Sequence, residues 1–138
     1  MSDSPDISKA IICLGSNVPT RISNIEAAID ALRPFCDIID QTAPYEFPDV
    51  SGLGEPYVNV VLSCSTNVPI RHFRDVLKRL ELQFGRDASS KQTGIMPLDI
   101  DLVIWQDEVI DDYEYTRPYF RKGYEQLLSQ HPSQLMHN

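Results

Sequence analysis

The chain has 138 residues, of which 42% are hydrophobic and 23% are charged, so it suits one globular domain with a single sizeable core. Twenty acidic residues and twelve lysines and arginines give a formal net charge of −8, which argues against a nucleic-acid-binding surface. The same negative field would repel a phosphate-bearing ligand, which would therefore need local cations or a metal ion.

The three cysteines, Cys13, Cys36 and Cys64, form no Cys-x-x-Cys motif, so we expect small buried thiols in a reducing compartment. The N-terminal residues 1–6 are acidic and polar, unlike a secretory signal. No apolar run approaches the roughly 20 residues of a membrane span. We therefore expect a cytoplasmic protein with no membrane association.

In the first third of the chain the pattern predicts a buried strand over 9–14, followed by the turn residues Gly15-Ser16-Asn17. Apolar residues at helical spacing then predict a helix over 20–33. Residues 37–46 resemble a second strand, bent near Pro44 because proline cannot donate a hydrogen bond to a neighbouring strand.

The middle of the chain begins with a loop over 47–56, which is rich in proline and glycine. A third strand is predicted over 57–65. Pro69 opens a second helix, in which the 3.6-residue apolar period continues up to Gly85. The polar stretch that follows, 86–94, is predicted to be a mobile loop leading into the next strand.

The last third begins with a strand over 98–105, a turn at Asp107-Glu108 and a short return at Val109-Ile110. Residues 116–128 are ambiguous, with a possible helix late in the segment. We expect frayed ends over 1–8 and 129–138 of this single domain, 1–138.

The predicted order of elements is strand, helix, strand, strand, helix, strand. This order is typical of a ferredoxin-like α+β fold, in which an antiparallel sheet carries both helices on one face. The uncovered face of the sheet would then be the natural location for a functional site.

Two carboxylates, Asp99 and Asp101, lie two residues apart in the last long strand. Because side chains alternate along a strand, both point to the same face. Two close anions are costly to bury unless a cation lies between them, and oxygen ligands of this kind suit magnesium. An ordinary solvated strand face would explain the pair equally simply.

Five short motifs follow one another along the chain: Gly15-Ser16-Asn17, Tyr57-Val58-Asn59, Glu81-Leu82-Gln83-Phe84-Gly85-Arg86, Leu98-Asp99-Ile100-Asp101 and Glu108-Val109-Ile110. In this order and spacing they resemble the 6-hydroxymethyl-7,8-dihydropterin pyrophosphokinase family. The resemblance covers about residues 9–128, with a shortened and diverged C-terminal part. It implies a ferredoxin-like fold and transfer of pyrophosphate from ATP to the hydroxymethyl group of a reduced pterin, releasing AMP, in folate biosynthesis.

The resemblance also implies roles for individual residues around the nucleotide. Asp99 and Asp101 would be catalytic and would ligate two Mg²⁺ ions along the ATP phosphates. Arg86 would be catalytic and would bind ATP together with Glu81. The expected partners are therefore ATP and a pterin, and no protein partner is evident.

For the pterin, the resemblance implies that Asn59 hydrogen-bonds the ring edge and that Tyr57 and Asn17 help form the pocket. Tyr124 would stack on the pterin ring as a phenylalanine does in the family. Each of these residues also has a plain structural explanation: Tyr57 could cover the sheet and Asn59 could satisfy a strand edge.

The chain departs from the family pattern at the cations that would bind phosphate. A tryptophan and an arginine of the family correspond to Thr93 and Met96, and a histidine corresponds to Tyr119. Lys91 is the only cation of the loop besides Arg86. Lys122 replaces an arginine and keeps its charge without the planar fork that binds phosphate.

Three functions are consistent with these residues. The first is a divergent pyrophosphokinase in which lysines and arginines elsewhere replace the lost arginines, the candidates being Lys91, Lys122, Arg117 and Arg121. The second is a catalytically inactive protein that keeps a pterin-like pocket. The third is a transferase for another small heterocyclic alcohol, suggested by Thr93 in place of the tryptophan.

Overall fold

A computed structural model describes residues 6–130 of the chain. The strands are Ser8–Ser16 (β1), Asp37–Gln41 (β2), Tyr45–Phe47 (β3), Tyr57–Thr66 (β4), Asp99–Trp105 (β5) and Glu108–Val109 (β6). The helices are Arg21–Leu32 (α1), Ile70–Gln83 (α2), Ser90–Thr93 (α3), Asp112–Tyr115 (α4) and Pro118–Gln130 (α5). Within this described part of the chain, none of the helices is long and apolar enough for a bilayer crossing.

The strands form one antiparallel sheet in the order β2-β4-β1-β5-β6, and β3 pairs with β4 beyond the end of β2. The two central strands pair over nine residues, from Ser8 opposite Thr66 to Ser16 opposite Val58. The sequences of these two strands are mostly apolar, as expected for strands whose two faces are both covered. The α+β class with an antiparallel sheet, predicted from the sequence, is confirmed.

The predicted second strand, 37–46, is in fact two strands separated by residues 42–44. Thr42 still bonds to β4, since its N–H donates to the Val61 carbonyl at 3.0 Å and its hydroxyl accepts from the Val61 N–H at 3.2 Å. Pro44 has no N–H to continue the ladder. The bend expected near Pro44 is therefore a complete interruption, after which β3 resumes the pairing.

One face of the sheet is covered by α1 and α2, as the sequence predicts. Each helix buries a stripe at 3.6-residue spacing, and these stripes consist of Ile25, Ala28, Ile29 and Leu32 in α1 and Phe73, Val76, Leu77 and Leu80 in α2. The stripes pack with the even-numbered residues of the central strands, such as Ile12 and Leu62.

The expectation that the other face is uncovered was wrong, because α5 packs on it. Phe120 and Leu127 of α5 are fully buried against a second apolar cluster of the sheet, which includes Ile11, Val61 and Val103. The strands are apolar at odd as well as even positions, so both faces need cover. The candidate site therefore lies at the ends of the strands and not on a bare sheet face.

Of the expected frayed ends, Ser8, Ser129 and Gln130 lie within elements, whereas residues 6–7 precede β1 without regular structure. Ser8 begins β1 and its hydroxyl accepts from Gln106 Nε2 at 2.7 Å. At the other end, Gln130 belongs to α5 and its amide donates to Asp40 at 3.0 Å. The remaining residues of those predictions, 1–5 and 131–138, lie outside the described residues.

The turn between β5 and β6 lies one residue earlier than predicted, at Gln106-Asp107. Both residues have positive φ, 51° and 68°, and Trp105 pairs with Glu108 across them. Two successive left-handed residues are typical of the tight hairpin turns whose twist matches that of the strands.

We predict that Gly123→Ala destabilises the protein, although alanine is the better helix former. A Cβ at Gly123 would overlap the Tyr45 hydroxyl and a methyl of Val61, so α5 would have to move off the sheet. We expect a loss of about 2 kcal/mol in the free energy of unfolding, measured by urea denaturation. The exposed Gln126→Ala in the same helix should change it by less than about 0.5 kcal/mol. A stabilised Gly123→Ala variant would contradict this packing.

Candidate active site

Two adjoining chambers lie where α2, the start of β5 and the segment 110–119 meet. The larger is a cleft of about 700 Å³ that contains both Asp99 and Asp101. The smaller is a cavity of about 100 Å³, lined by Phe47, Pro48, Asp49, Val50, Tyr57, Asn59, Asp99 and Tyr119. Four residues border both chambers, namely Asp49, Tyr57, Asp99 and Tyr119. A ligand in one chamber would therefore touch a ligand in the other at these side chains.

Arg86 links two of the predicted acidic residues. Its Nη1 donates to Glu81 Oε2 at 2.7 Å and to Asp99 Oδ1 at 2.8 Å. The same Glu81 oxygen accepts the backbone N–H of Ile100 at 2.8 Å. Burial raises the pKa of Glu81, and the hydrogen bonds from Arg86 and Ile100 oppose that effect. This network ties the end of α2 to the first residues of β5 and fixes the Asp99 carboxylate.

Asp101 lies deeper, beside Asp99 and a third carboxylate, Glu114. Burial, and then the negative charges of Asp99 and Glu114, raise the pKa of Asp101 well above its usual range. Tyr119 donates its hydroxyl hydrogen to the Glu114 carboxylate, with both oxygens at 2.5 Å. Burial also raises the pKa of Glu114. The site therefore brings three carboxylates together with the Arg86 cation bound only to the outermost of them.

Glu114 was not predicted as a site residue. It is buried, and it lies in the short helix α4, which Asp111 caps by accepting the Glu114 N–H at 3.0 Å. An Asp-x-x-Glu pattern just before a helical segment is a local signal for such a start. That signal predicts the helix start, whereas the proximity of Glu114 to Asp101 depends on the tertiary fold.

The carboxylates fit a hard divalent cation. Within residues 6–130 no group of three or more histidine, cysteine, aspartate or glutamate side chains is arranged as a ready metal cage. Asp99 and Asp101 are nevertheless crowded, and a cation between them would relieve the repulsion that raises the Asp101 pKa. A site with two carboxylates and shared water and phosphate oxygens is the kind that Mg²⁺ uses.

Asn59 forms the end of the smaller cavity and is 3% exposed. Its amide nitrogen donates to the Leu14 carbonyl at 3.3 Å, whereas its buried Oδ1 has no hydrogen-bond partner among the described residues. A side chain at Gly15 would collide with this amide, since a Cβ there would lie 2.8 Å from Nδ2. The glycine thus leaves room for Asn59, whose free acceptor suits a ligand N–H.

The aromatic walls of this cavity are Tyr57, Phe47 and Tyr119. The Phe47 and Tyr119 rings meet edge to face, with centroids 6.2 Å apart. Burial, followed by the negative charge of Asp99, raises the pKa of Tyr57 to about 12, so its phenol stays neutral near pH 7. A flat heterocycle would find apolar faces here and a polar edge at Asn59.

Asn17, predicted to help form the pocket, instead joins two loops. Its amide donates to the carbonyls of Gly94 at 2.7 Å and Glu55 at 3.3 Å, and its Oδ1 accepts the Met96 N–H at 2.7 Å. The segment 86–94, predicted to be a mobile loop, contains α3, and these bonds hold its end at Gly94 and the adjoining Met96.

The other predicted ligands are separated by the fold. Lys91 lines the larger cleft. Lys122 lies over the Tyr45 ring, with its Nζ 5.6 Å from the centroid, and borders neither chamber. The Tyr124 ring is stacked on Phe120 at 5.2 Å and also borders neither chamber. Tyr119, and not Tyr124, borders the smaller chamber.

Two cations of α2, Arg74 and Lys78, border the cleft and were not predicted as site residues. Their spacing of four residues places them on one side of the helix, and Glu81 continues that side. This signal was present in the sequence, but only the packing of α2 showed that this side faces the cleft.

Comparison with known proteins identifies a family. Residues 11–137 match the family described as 7,8-dihydro-6-hydroxymethylpterin-pyrophosphokinase (HPPK). The 2-amino-4-hydroxy-6-hydroxymethyldihydropteridine pyrophosphokinase of Haemophilus influenzae is 27% identical over 114 residues, which are 80% of this chain and 71% of that protein. Its namesake in Aquifex aeolicus is 34% identical over 99 residues, 70% of this chain and 61% of that protein.

A plant relative is longer. The folate synthesis bifunctional protein of Arabidopsis thaliana is 26% identical over 107 residues, which cover 75% of this chain and 22% of that protein. The chain thus spans less than a quarter of the plant protein and 61% to 71% of the two bacterial relatives.

We predict that Asn17→Ala loosens the segment 86–96 and destabilises the protein. The change removes three hydrogen bonds and leaves the Met96 N–H buried without a partner, which should lower the free energy of unfolding by about 2–3 kcal/mol. Urea denaturation measures the loss, and hydrogen exchange at the Met96 amide should become faster. Asn67→Ala, at an exposed position, is the control. Unchanged stability and unchanged Met96 protection would contradict the joining role.

Proposed function

The chain belongs to the HPPK family over residues 11–137, and on that premise we propose that it transfers pyrophosphate from ATP to the hydroxymethyl group of 6-hydroxymethyl-7,8-dihydropterin, releasing AMP, in folate biosynthesis. The observation that carries the proposal is the pair of adjoining chambers. One ends in the unpartnered Asn59 oxygen and the other contains Asp99 and Asp101, and both are bordered by Tyr57, Asp99 and Tyr119.

The smaller chamber would hold the pterin. Asn59 Oδ1 would accept a hydrogen bond from a ring N–H or the amino group of the pterin. That bond would strengthen binding because the buried acceptor is otherwise unsatisfied. Tyr57 and Tyr119 would cover the ring and orient the hydroxymethyl group toward Asp99. This assignment uses Asn59 and Tyr57 as the sequence predicts, with Tyr119 in the place expected for Tyr124.

The larger chamber would hold the nucleotide and magnesium. Asp99 and Asp101 would hold the Mg²⁺, for which we propose two ions, and the metal would neutralise charge on the ATP phosphates. Arg86, fixed by Glu81 and Asp99, would keep a positive charge beside the transferring group. Lys91 would approach from the segment 86–96. The hydroxymethyl oxygen would bond to the β-phosphorus while the bond from that phosphorus to the α,β-bridging oxygen breaks.

Two broader features accompany this proposal. We propose that β1, α1, β2, β4, α2 and β5 form a ferredoxin-like core, since these elements follow the predicted order of strands and helices. We also propose a cytoplasmic location, which the three free, buried cysteines support.

We predict that Asp101→Asn abolishes most AMP formation. The variant keeps the shape of the side chain but removes a charge that would hold the metal, and we expect a loss of about 10²- to 10³-fold in kcat. Chromatographic detection of AMP, with MgATP and 6-hydroxymethyl-7,8-dihydropterin, measures it.

Asp107→Asn is the matched control for this experiment, because Asp107 lies exposed in the β5–β6 turn and loses the same charge. A folded wild-type protein that makes no AMP would overturn the proposed reaction. An Asp101→Asn variant as active as Asp107→Asn would overturn the role of the carboxylate pair.

We predict that Asn59→Leu weakens pterin binding by about tenfold or more, since a buried acceptor for a ligand N–H is lost. Fluorescence titration with the pterin measures the affinity, and the KM for ATP should change little. Asn67→Leu, at an exposed position, is the control. Equal pterin affinity in the two variants would remove Asn59 from the pterin site. Pterin binding without AMP formation by the wild type would instead favour a binding protein.

A further inference from the structure

The α2 wall of the cleft carries two exposed cations, Arg74 and Lys78. They lie one helical turn apart on the side of α2 that faces the cleft, and Glu81, which binds Arg86, follows on the next turn. Like charges four residues apart on a helix repel each other, so the pair weakens the isolated helix. An anion bound between them would relieve that repulsion.

Neither cation is engaged by another residue in the part of the chain that the structure describes. Within residues 6–130, the ion pairs of arginine involve Arg21, Arg33, Arg86 and Arg121. No hydrogen bond or ion pair joins Arg74 or Lys78 to another described side chain. Their charges are therefore available to a ligand, unlike that of Arg86, which two carboxylates already hold.

Positive charge is concentrated on α2. This helix of 14 residues carries four of the twelve lysines and arginines of the chain, against two acidic residues. The rest of the cleft is acidic, since Asp99, Asp101, Asp111 and Glu114 all line it. The other cations that border it are Arg86 and Lys91. Most of the positive charge of the cleft that is not already paired with a carboxylate therefore lies on its α2 side. An entering polyphosphate would meet it there.

We propose that Arg74 and Lys78 bind the phosphates of the nucleoside triphosphate and replace the cations that the segment 86–96 lacks. The inference rests on the proposed function, because it assigns the cations of that same nucleotide site. The guanidinium of Arg74 has the planar fork that binds phosphate oxygens in pairs, and Lys78 adds a point charge near Glu81. Both act as binding and positioning residues for the nucleotide.

The test is the double variant Arg74→Gln/Lys78→Gln against a charge-matched control, Arg71→Gln/Arg79→Gln. The control residues lie on the same helix, are exposed and do not border the cleft. Kinetics of AMP formation give KM for MgATP and for the pterin, and isothermal titration with the Mg²⁺ complex of α,β-methylene-ATP gives affinity without turnover. Circular dichroism melting checks that every variant is folded.

In the test variant we expect the affinity for the analogue to fall, and the KM for MgATP to rise, by about tenfold or more. The KM for the pterin should not change. The affinity should also depend less on salt concentration, because two charged contacts are removed. Arg74→Lys/Lys78→Arg should recover much of the affinity.

The outcomes separate this inference from the proposed function. If the wild type makes AMP and both double variants bind the analogue equally, the roles of Arg74 and Lys78 are overturned while the reaction stands. If the wild type binds the analogue but makes no AMP, and only the test variant loses binding, the reaction is overturned and the inference stands. A wild type that neither makes AMP nor binds the analogue overturns both.

Discussion

The crowding of carboxylates at the start of β5 is the constraint on which the rest of the site depends. Asp99 and Asp101 share a face because a strand alternates its side chains, and the fold then places Glu114 against Asp101. Arg86 bonds to only one of the three. Burying such a group without further compensation is unfavourable. The arrangement therefore makes physical sense as a place where bound cations balance the charge of the carboxylates.

Three separate parts of the chain hold this group in place. The end of α2 is bonded to β5 through Glu81 and the Ile100 N–H, and Arg86 completes that connection. The segment after α2 is fastened by Asn17. On the other side, α5 brings Tyr119 to the carboxylate of Glu114. The site is thus rigid where the reacting groups would meet, and its exposed side is the wall formed by α2.

Charge within the cleft is distributed unequally, and this bears on how a nucleotide could bind to an acidic protein. Positions that would carry phosphate-binding cations in the family hold Met96 and Tyr119, and Tyr119 is committed to Glu114. Met96 is buried. The compensating charge lies instead on α2, at Arg74 and Lys78. Moving the cations from a loop to a helix would keep them on a rigid support.

The sequence by itself determined the local features: the strands β1, β4 and β5 and the helices α1 and α2 from their periods, and the shared face of Asp99 and Asp101. It also indicated the family, and with it Asn59 and Tyr57. The tertiary structure alone decided that α5 covers the second face, which placed Tyr119 in the site and turned Tyr124 and Lys122 away from it. It also brought Glu114 to Asp101 and directed α2's cations into the cleft. Period and motif report which residues share one face of one element, whereas the meeting of faces from distant elements depends on how the whole chain packs.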